Sequence, residues 1–344
     1  MHTQINLVQD VLGWNQLKSF LEPAIHQCIP SELSSFLKGR QIIFGSGESK
    51  IVPIQGWTSN NKNVNAQVMT IQPVKEETTV LGVDSSSMQI AETEEGAIYA
   101  VKSGIATAIL GKILAHFKMG PMLFYLSEDT LKHSELDQRI IKLVLLDSES
   151  AKRLIRIRVE RAIQLELSHH FSGSILLVDG SLRSSVFEHR MHTLKKVVED
   201  CSLYNNTIVG LSKSTKIRIL DKISHPLTKI KGPGFMDVDL IIKSLTRNTI
   251  GDSLMVKFGS SYTSPILRAD ISTSDRDRSR SFGKILGNDS IARGYPETLQ
   301  LAHHISTFTT TEISCLKSHI LNKYDVIELV PEDIRKKLLG SIPV

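Results

Sequence analysis

Hydrophobic and polar positions along this 344-residue chain predict three consecutive strands, followed by strands separated by helices. Between residues 79 and 126, three apolar runs are joined by short polar turns, with Glu95-Gly96 as one hairpin turn. Apolar positions then recur at helical spacing over residues 148–170, with Ser148 as the predicted cap, and over about 184–203. The strands predicted after the first three read ILLVDG, TIVGLSKS, DSLMVKFG and PILRADIS.

The lengths of the connections indicate how these strands pair. Short turns favour an antiparallel meander for the first three strands, whereas helical crossovers favour parallel pairing for the later ones. A polar stretch, STSDRDRSRSFGKILGNDSIARG, is interpreted as a loop before a final helix that opens in YPETLQLAHHIS, with Pro296 as its first helical residue. The predicted fold class is therefore α/β, a mixed sheet flanked by helices.

The two ends of the chain differ from this central region. Residues 1 to about 40 have apolar positions at helical spacing, interrupted by Pro23 and Pro30. Residues 44–78 are polar and rich in turn-forming residues, which predicts an irregular arm. We therefore expect an N-terminal helical segment with an arm over residues 1–78 and one domain over 79–344, which ends in a short basic helix, PEDIRKKLLG.

Composition indicates a soluble globular protein but does not by itself indicate a function. Hydrophobic residues are 41% and charged residues 22%, as in soluble globular proteins, and the formal net charge of +5 permits a polyanionic partner without requiring one. Cys28, Cys201 and Cys315 are far apart, which argues against a disulfide framework or a zinc module. There is no apolar run of about 18 residues and no signal pattern, so we expect a cytoplasmic protein with no membrane partner.

Two strands end their apolar runs in an aspartate followed by a small residue, at Asp84 in LGVDSSS and at Asp179 in LLVDGSL. Each aspartate alone also fits a turn at a strand end. Two carboxylates held close together repel each other unless a cation lies between them, and oxygen ligands are those that Mg²⁺ and Mn²⁺ prefer. The pair therefore indicates a divalent metal site if the strand ends meet.

The helix between these strands offers Glu160 and Glu166 as a third carboxylate. The helical wheel favours Glu166, which falls on the more apolar face with Ile155 and Val159. The axial position favours Glu160, because a crossover helix runs antiparallel to the strand that it precedes and so brings its amino-terminal half beside the carboxyl end of that strand. We prefer the axial argument, and the choice between the two glutamates stays open at this point.

The ordered set GVDSSS, RVERAIQLE, ILLVDGSL, VGLSKS, PILRADIS and GYPETLQLAHHIS resembles the NurA nuclease family over roughly residues 79–310. The resemblance implies an RNase H-like core with a five-stranded mixed sheet and acidic residues at its centre. It also implies a manganese- or magnesium-dependent deoxyribonuclease of exonuclease and single-strand endonuclease type. Such proteins act as homodimers in DNA end resection and double-strand break repair, together with a HerA-type hexameric ATPase.

Carried over by motif, the resemblance implies a set of site residues. Asp84, Asp179, Glu160 and His303 would be the metal ligands, and Lys213 would lie near the scissile phosphate. Arg268, Asp270 and Tyr295 match positions near the site. The chain departs from the family pattern at Ser85, where glycine is expected after the first aspartate, and at Glu297-Thr298, where a second aromatic-proline unit is common.

The basic stretch before the last helix is a candidate DNA contact, through Arg276, Arg278, Arg280 and Lys284, although it fits a solvated loop equally well. Two other functional classes remain alternatives. One is a non-catalytic DNA clamp or ATPase adaptor that keeps the fold without turnover. The other is an actin-like or sugar-kinase-like ATPase, which DSSSM disfavours because it lacks the glycine of the usual phosphate turn.

Overall fold

The structure is a computed structural model, and it describes residues 41–44, 67–213, 220, 223–275 and 277–329. Several expectations lie outside these residues: the N-terminal helical segment, most of the arm, Arg276 and the basic C-terminal helix. Within the described ranges, no helix has both the length and the apolar character needed to cross a membrane.

The secondary structure alternates as the sequence predicts over most of its length. The strands are β1 (Gln41–Phe44), β2 (Val68–Thr70), β3 (Val80–Glu92), β4 (Gly96–Ile109), β5 (Lys112–Ser127), β6 (Ile175–Asp179), β7 (Thr207–Ser212), β8 (Gly234–Asp237), β9 (Asp252–Lys257), β10 (Leu267–Ser272), β11 (Ile291–Ala292), β12 (Tyr295–Pro296) and β13 (Ile327–Glu328). The helices are α1 (Glu128–Lys132), α2 (Gln138–Leu146), α3 (Ser148–His170), α4 (Leu194–Leu203), α5 (His225–Thr228), α6 (Asp239–Leu245), α7 (Arg278–Asn288), α8 (Glu297–Ser306) and α9 (Thr310–Lys323).

Five strands form the centre of the sheet in the order β5-β4-β3-β6-β7. The first three are an antiparallel meander, whereas β6 pairs in parallel with β3 and β7 pairs in parallel with β6. Parallel neighbours require a crossover, which α3 and α4 provide. This order and these directions are those of an RNase H-like core, and the predicted mixed α/β sheet flanked by helices is confirmed.

The sheet is larger than the resemblance implied. Beyond β7 it continues through β10, β9, β8 and β2 in antiparallel order, and the distal half of β3 also pairs with β1, which pairs with β13. The described residues therefore form a sheet of eleven strands instead of five. Because β2 lies in it, residues 68–70 of the predicted irregular arm are a strand.

Alternation along the central strands divides the apolar side chains between two faces. Leu81 and Val83 of β3 pack in a core with α3, whereas Val80 and Leu177 pack in a second core with Leu299 of α8. Asp84 and Asp179 have the strand parity of Val80 and Leu177, so their side chains project to the face that α8 covers.

The structure corrects several predicted boundaries. Asp147, one residue before Ser148, caps α3 by accepting hydrogen bonds from backbone N–H groups of the first turn. The helix predicted from about 184 begins only at Leu194. Residues 278–288 of the predicted loop form α7, which Asp277 caps. Pro296 is the cap of α8 and not its first helical residue.

Candidate active site

Two neighbouring strands and one helix bring together three side chains that could hold a metal ion. In the parallel pair β3–β6, Val83 lies opposite Val178, so Asp84 and Asp179 lie side by side where β6 ends, whereas β3 continues past Asp84 to Glu92. His303 of α8 approaches from the face to which both aspartates project. One ligand atom from each of the three residues lies within 4.8 Å of the others.

The imidazole of His303 is paired directly with the first aspartate. Its Nδ1 lies 2.8 Å from Oδ2 of Asp84, and the hydroxyl of Ser306, one turn further along α8, donates to the same oxygen at 3.2 Å. Ser306 had no sequence signal beyond its spacing of three residues from His303. Together these bonds fix Asp84 against α8.

Two glycines allow α8 to lie this close to the sheet. A Cβ on Gly82 would lie 2.6 Å from the carbonyl carbon of Thr298 and 2.9 Å from the backbone nitrogen of Leu299. A Cβ on Gly104, which pairs with Asp84 across β3 and β4, would clash with the carbonyl oxygen of Ala302. The position of His303 therefore depends on the absence of side chains at these two sites.

Asp179 is held by two different donors. Lys213 Nζ lies 2.8 Å from Oδ2 and the hydroxyl of Tyr295 donates to Oδ1 at 3.2 Å. The ammonium of Lys213 also lies 5.0 Å from the centre of the Tyr295 ring. Burial, and next the charge of Asp179, raise the pKa of Tyr295, so its hydroxyl remains a donor.

Glu160 is the helix carboxylate that shares the electrostatic field of the two aspartates. Burial and, less strongly, the charges of Asp84 and Asp179 together raise its pKa to about 7, and the charges of Arg156 and Arg161 oppose this shift. Its side chain is 13% exposed, and its Oε1 lies 3.9 Å from Nε of Arg156.

Glu166 is six residues further along α3, about 9 Å along the helix axis. Among the described residues, its carboxylate makes no hydrogen bond or ion pair with the predicted site residues. The charges of both aspartates act on Glu160, whereas its role as a ligand and the choice between the two glutamates stay predictions.

Arg268 and Asp270 of β10 are paired with each other instead of with the metal-ligating group. The guanidinium of Arg268 donates to both oxygens of Asp270, at 3.1 and 3.0 Å, and Asp270 is fully buried. Asp270 also accepts from the hydroxyl of Ser253 at 2.6 Å and from the backbone N–H of Leu182 at 3.1 Å. It therefore anchors the segment that follows Asp179.

The predicted DNA-contacting residues of α7 all form ion pairs with carboxylates of the same chain. Arg278 forms ion pairs with Asp237 and Asp252, and both Arg280 and Lys284 pair with Glu76.

Arg280 and Lys284 also line a cavity with Ser174 and Ile175 at the amino end of β6. Asp179 is at the other end of that strand, about 13 Å away. The structure does not connect these residues with the site, and their contact with DNA stays a prediction.

The donor set fits a divalent cation. Two carboxylate oxygens and one imidazole nitrogen converge, and a third carboxylate, Glu160, lies close enough for their charges to raise its pKa. A cation between them would remove this mutual repulsion, and the predominance of oxygen donors suits Mg²⁺ or Mn²⁺. The RNase H-like topology with this acidic centre is typical of metal-dependent nucleases.

Within that class, the chain belongs to the NurA family: the NurA domain model matches residues 78–307. Its fold is similar to that of the NurA nuclease from Sulfolobus solfataricus, with 13% identity, a TM-score of 0.46, and coverage of 96% of this chain and 100% of the other. A NurA bound to dAMP and manganese matches with 11% identity, a TM-score of 0.45, and coverage of 74% and 90%. An endonuclease V from Bacillus subtilis matches with 12% identity, a TM-score of 0.32, and coverage of 74% and 86%. No curated protein matches the chain.

Proposed function

We propose that the chain hydrolyses DNA phosphodiester bonds at the site formed by Asp84, Asp179 and His303, with Glu160 as a further metal ligand. The observation that carries this proposal is the convergence of three ligand atoms within 4.8 Å, from three elements that are distant in sequence. The family assignment agrees with it and disfavours the actin-like ATPase alternative.

The chain's own residues have distinct roles in this proposal. A divalent metal bound here would activate the attacking water and stabilise the leaving oxygen. Lys213, with its side chain 46% exposed, is free to exchange its contact with Asp179 for a phosphate oxygen and to offset charge developing on the phosphate. Tyr295 would then keep Asp179 oriented through Oδ1.

The working metal in this proposal is Mn²⁺, with Mg²⁺ as the alternative. Two of the three convergent ligand atoms are carboxylate oxygens, which suit either ion. One of the NurA proteins of similar fold binds dAMP and manganese.

The cellular role that we propose is resection of DNA ends during double-strand break repair and homologous recombination. In this role the chain would act as a homodimer with exonuclease and single-strand endonuclease activities, together with a HerA-type hexameric ATPase. This role is what membership of the NurA family supports.

The first experiment measures cleavage of an end-labelled duplex and an end-labelled single strand with Mn²⁺, Mg²⁺ or EDTA. The wild type is compared with Asp84→Asn and Asp179→Asn, and with Asp129→Asn as the control, since the side chain of Asp129 is 75% exposed on α1. We expect metal-dependent shortening that both site variants lose and the control keeps. Binding without cleavage under any metal would instead support the non-catalytic clamp.

The quaternary proposals need separate measurements. Light scattering after gel filtration would give a stable monomer if the homodimer proposal is wrong. Addition of a HerA-type ATPase to the cleavage assay, with and without ATP, would leave the rate unchanged if the two proteins do not work together.

A further inference from the structure

Three arginines, on α3 and on the segment that follows Asp179, form a positive surface that the motifs did not indicate. Arg153 and Arg156 are three residues apart on α3, so they are neighbours on one face of the helix. Arg183 follows Asp179 by four residues. All three are exposed, and Arg156 reaches towards Glu160 at 3.9 Å. We call these three residues the arginine surface.

The charge of the arginine surface is largely unneutralised. Arg153 and Arg183 form no ion pair with any carboxylate in the part of the chain that the structure describes, and the only such contact of Arg156 is the distant one with Glu160. Partial desolvation, followed by the charges of Arg156 and Arg183, lowers the pKa of Arg153, so both of these guanidinium groups repel that of Arg153.

Nearby carboxylates do not relieve this repulsion, because they are already engaged. Glu149 pairs with Lys152, and Asp147 accepts hydrogen bonds at the start of α3. The basic side chains of α7 are a contrast, since Arg278, Arg280 and Lys284 all have carboxylate partners.

The segment that carries Arg183 is held in place on both sides. Leu182 donates its backbone N–H to Asp270, and Arg183 forms an isolated β-bridge with Thr249. The guanidinium of Arg153 lies 5.8 Å from the centre of the Phe187 ring, which is buried. A surface that is already positioned loses little freedom when it binds a ligand.

A hydrogen bond and an ion pair also connect this segment to α3. The carbonyl of Phe187 accepts a hydrogen bond from Nε of buried Arg158 at 3.2 Å, and Glu188 pairs with Arg161 at 3.2 Å. The two arginines below the surface are therefore structural, whereas those of the arginine surface are available to a ligand.

We propose that the arginine surface binds backbone phosphates of the DNA strand whose scissile bond lies at the metal site. This inference rests on the proposed nuclease function and adds the path of the substrate across α3. Exposed guanidinium groups without carboxylate partners bind phosphate oxygens through charge-assisted, often bidentate hydrogen bonds. Arg156, 3.9 Å from Glu160, joins this surface to the acidic centre, so a strand bound along it would run towards that centre.

The test measures the affinity for a fluorescent single-stranded oligonucleotide by anisotropy, in EDTA, over a range of salt concentrations. The variant is Arg153→Gln/Arg183→Gln; Arg156 is left intact because it contacts Glu160. We expect binding at low salt to weaken about tenfold, and the slope of log affinity against log salt to fall by about 0.7 for each arginine removed.

The matched control is Lys75→Gln/Lys112→Gln, which removes the same number of charges. Both lysines are exposed and lie near α7: Val74 bonds to Gly283 and Leu110 to Asn288. They flank the amino end of β3, whereas Asp84 is nearer its middle. Arg153→Lys/Arg183→Lys keeps the charges and should keep most of the slope, which separates loss of charge from loss of fold.

Binding is read without metal, so the result does not depend on whether the wild type cleaves DNA. A wild-type slope in Arg153→Gln/Arg183→Gln, with thermal melting unchanged, would overturn the proposal and favour an acidic protein partner for this surface. An equal loss of slope in the lysine control would also overturn it, because binding would then reflect overall charge only.

Discussion

Gly82→Ala should separate the position of α8 from the chemistry of the metal ligands. Ordinary van der Waals contact for a Cβ begins at 3.4 Å, and the new Cβ would lie 2.6 Å from the carbonyl carbon of Thr298. The backbone of α8 must therefore retreat by about 0.8 Å, or β3 must bend by as much. Both responses change the distance between His303 and Asp84, which is 2.8 Å.

The magnitudes follow from overpacking and from misplacement of a ligand. Adding a methyl group to a closely packed site costs about 1–3 kcal/mol of the free energy of unfolding. A displacement of about 1 Å at a catalytic group reduces the rate by about 10²-fold. We therefore expect Gly82→Ala to remain folded and to cleave DNA about a hundredfold more slowly at saturating metal, although every metal ligand is retained.

The matched control is Gly96→Ala, which places a Cβ against the backbone of Leu126 and 3.0 Å from Cβ of Ser127. Gly96 begins β4 at the hairpin, away from α8. Urea unfolding should show a comparable loss of stability in both variants, and single-turnover cleavage should be slowed only by Gly82→Ala. Equal rates in the two variants would refute the argument that the glycine contact positions His303.

Two further substitutions test the partners of single groups. Tyr295→Phe removes the hydroxyl that donates to Asp179 and keeps the ring beside Lys213, so the metal concentration for half-maximal cleavage should rise about tenfold; an unchanged value would contradict this. Glu312→Gln removes a carboxylate whose pKa a hydrogen bond from buried Lys102 lowers to about 2. Because the folded-state pKa is below its ordinary value of 4.5, the pair stabilises the fold at neutral pH by up to about 3 kcal/mol, and this contribution is lost as the pH falls from about 4.5 to 2. Urea unfolding at about pH 7 should show most of that loss in Glu312→Gln and little in Glu128→Gln, a control with a 68% exposed carboxylate; equal effects would contradict the assignment.

The central part of the fold and the aspartate pair could be predicted because local pattern and strand geometry determine them. Apolar runs of strand length joined by short turns fix the meander, and the crossover helix α3 fixes the parallel neighbour of β3. Once β3 and β6 pair in parallel with their apolar runs in register, the residues that follow both runs lie side by side. Asp84 and Asp179 could therefore be expected to be neighbours.

The parts that sequence reasoning missed depend on contacts between distant segments. The stretch that forms α7 looks like a basic loop because its charged residues hide the apolar positions Phe282 and Ile285, which are buried. Its cations are paired with carboxylates such as Glu76, about two hundred residues away in the chain. No spacing rule relates such segments. The arginine surface was missed for the converse reason, because a sequence does not show which cations lack a carboxylate partner.

Asp84 and Asp270 show why a buried aspartate on a strand does not identify a metal ligand by itself. Both are buried strand residues, yet their partners differ. The guanidinium of Arg268 donates hydrogen bonds to both oxygens of Asp270, so this carboxylate is not available to bind a metal ion. Asp84 is bound instead by His303, whose side chain is 51% exposed and which can itself serve as a ligand. Exchangeable partners distinguish a carboxylate that can hold a metal from one that holds the fold.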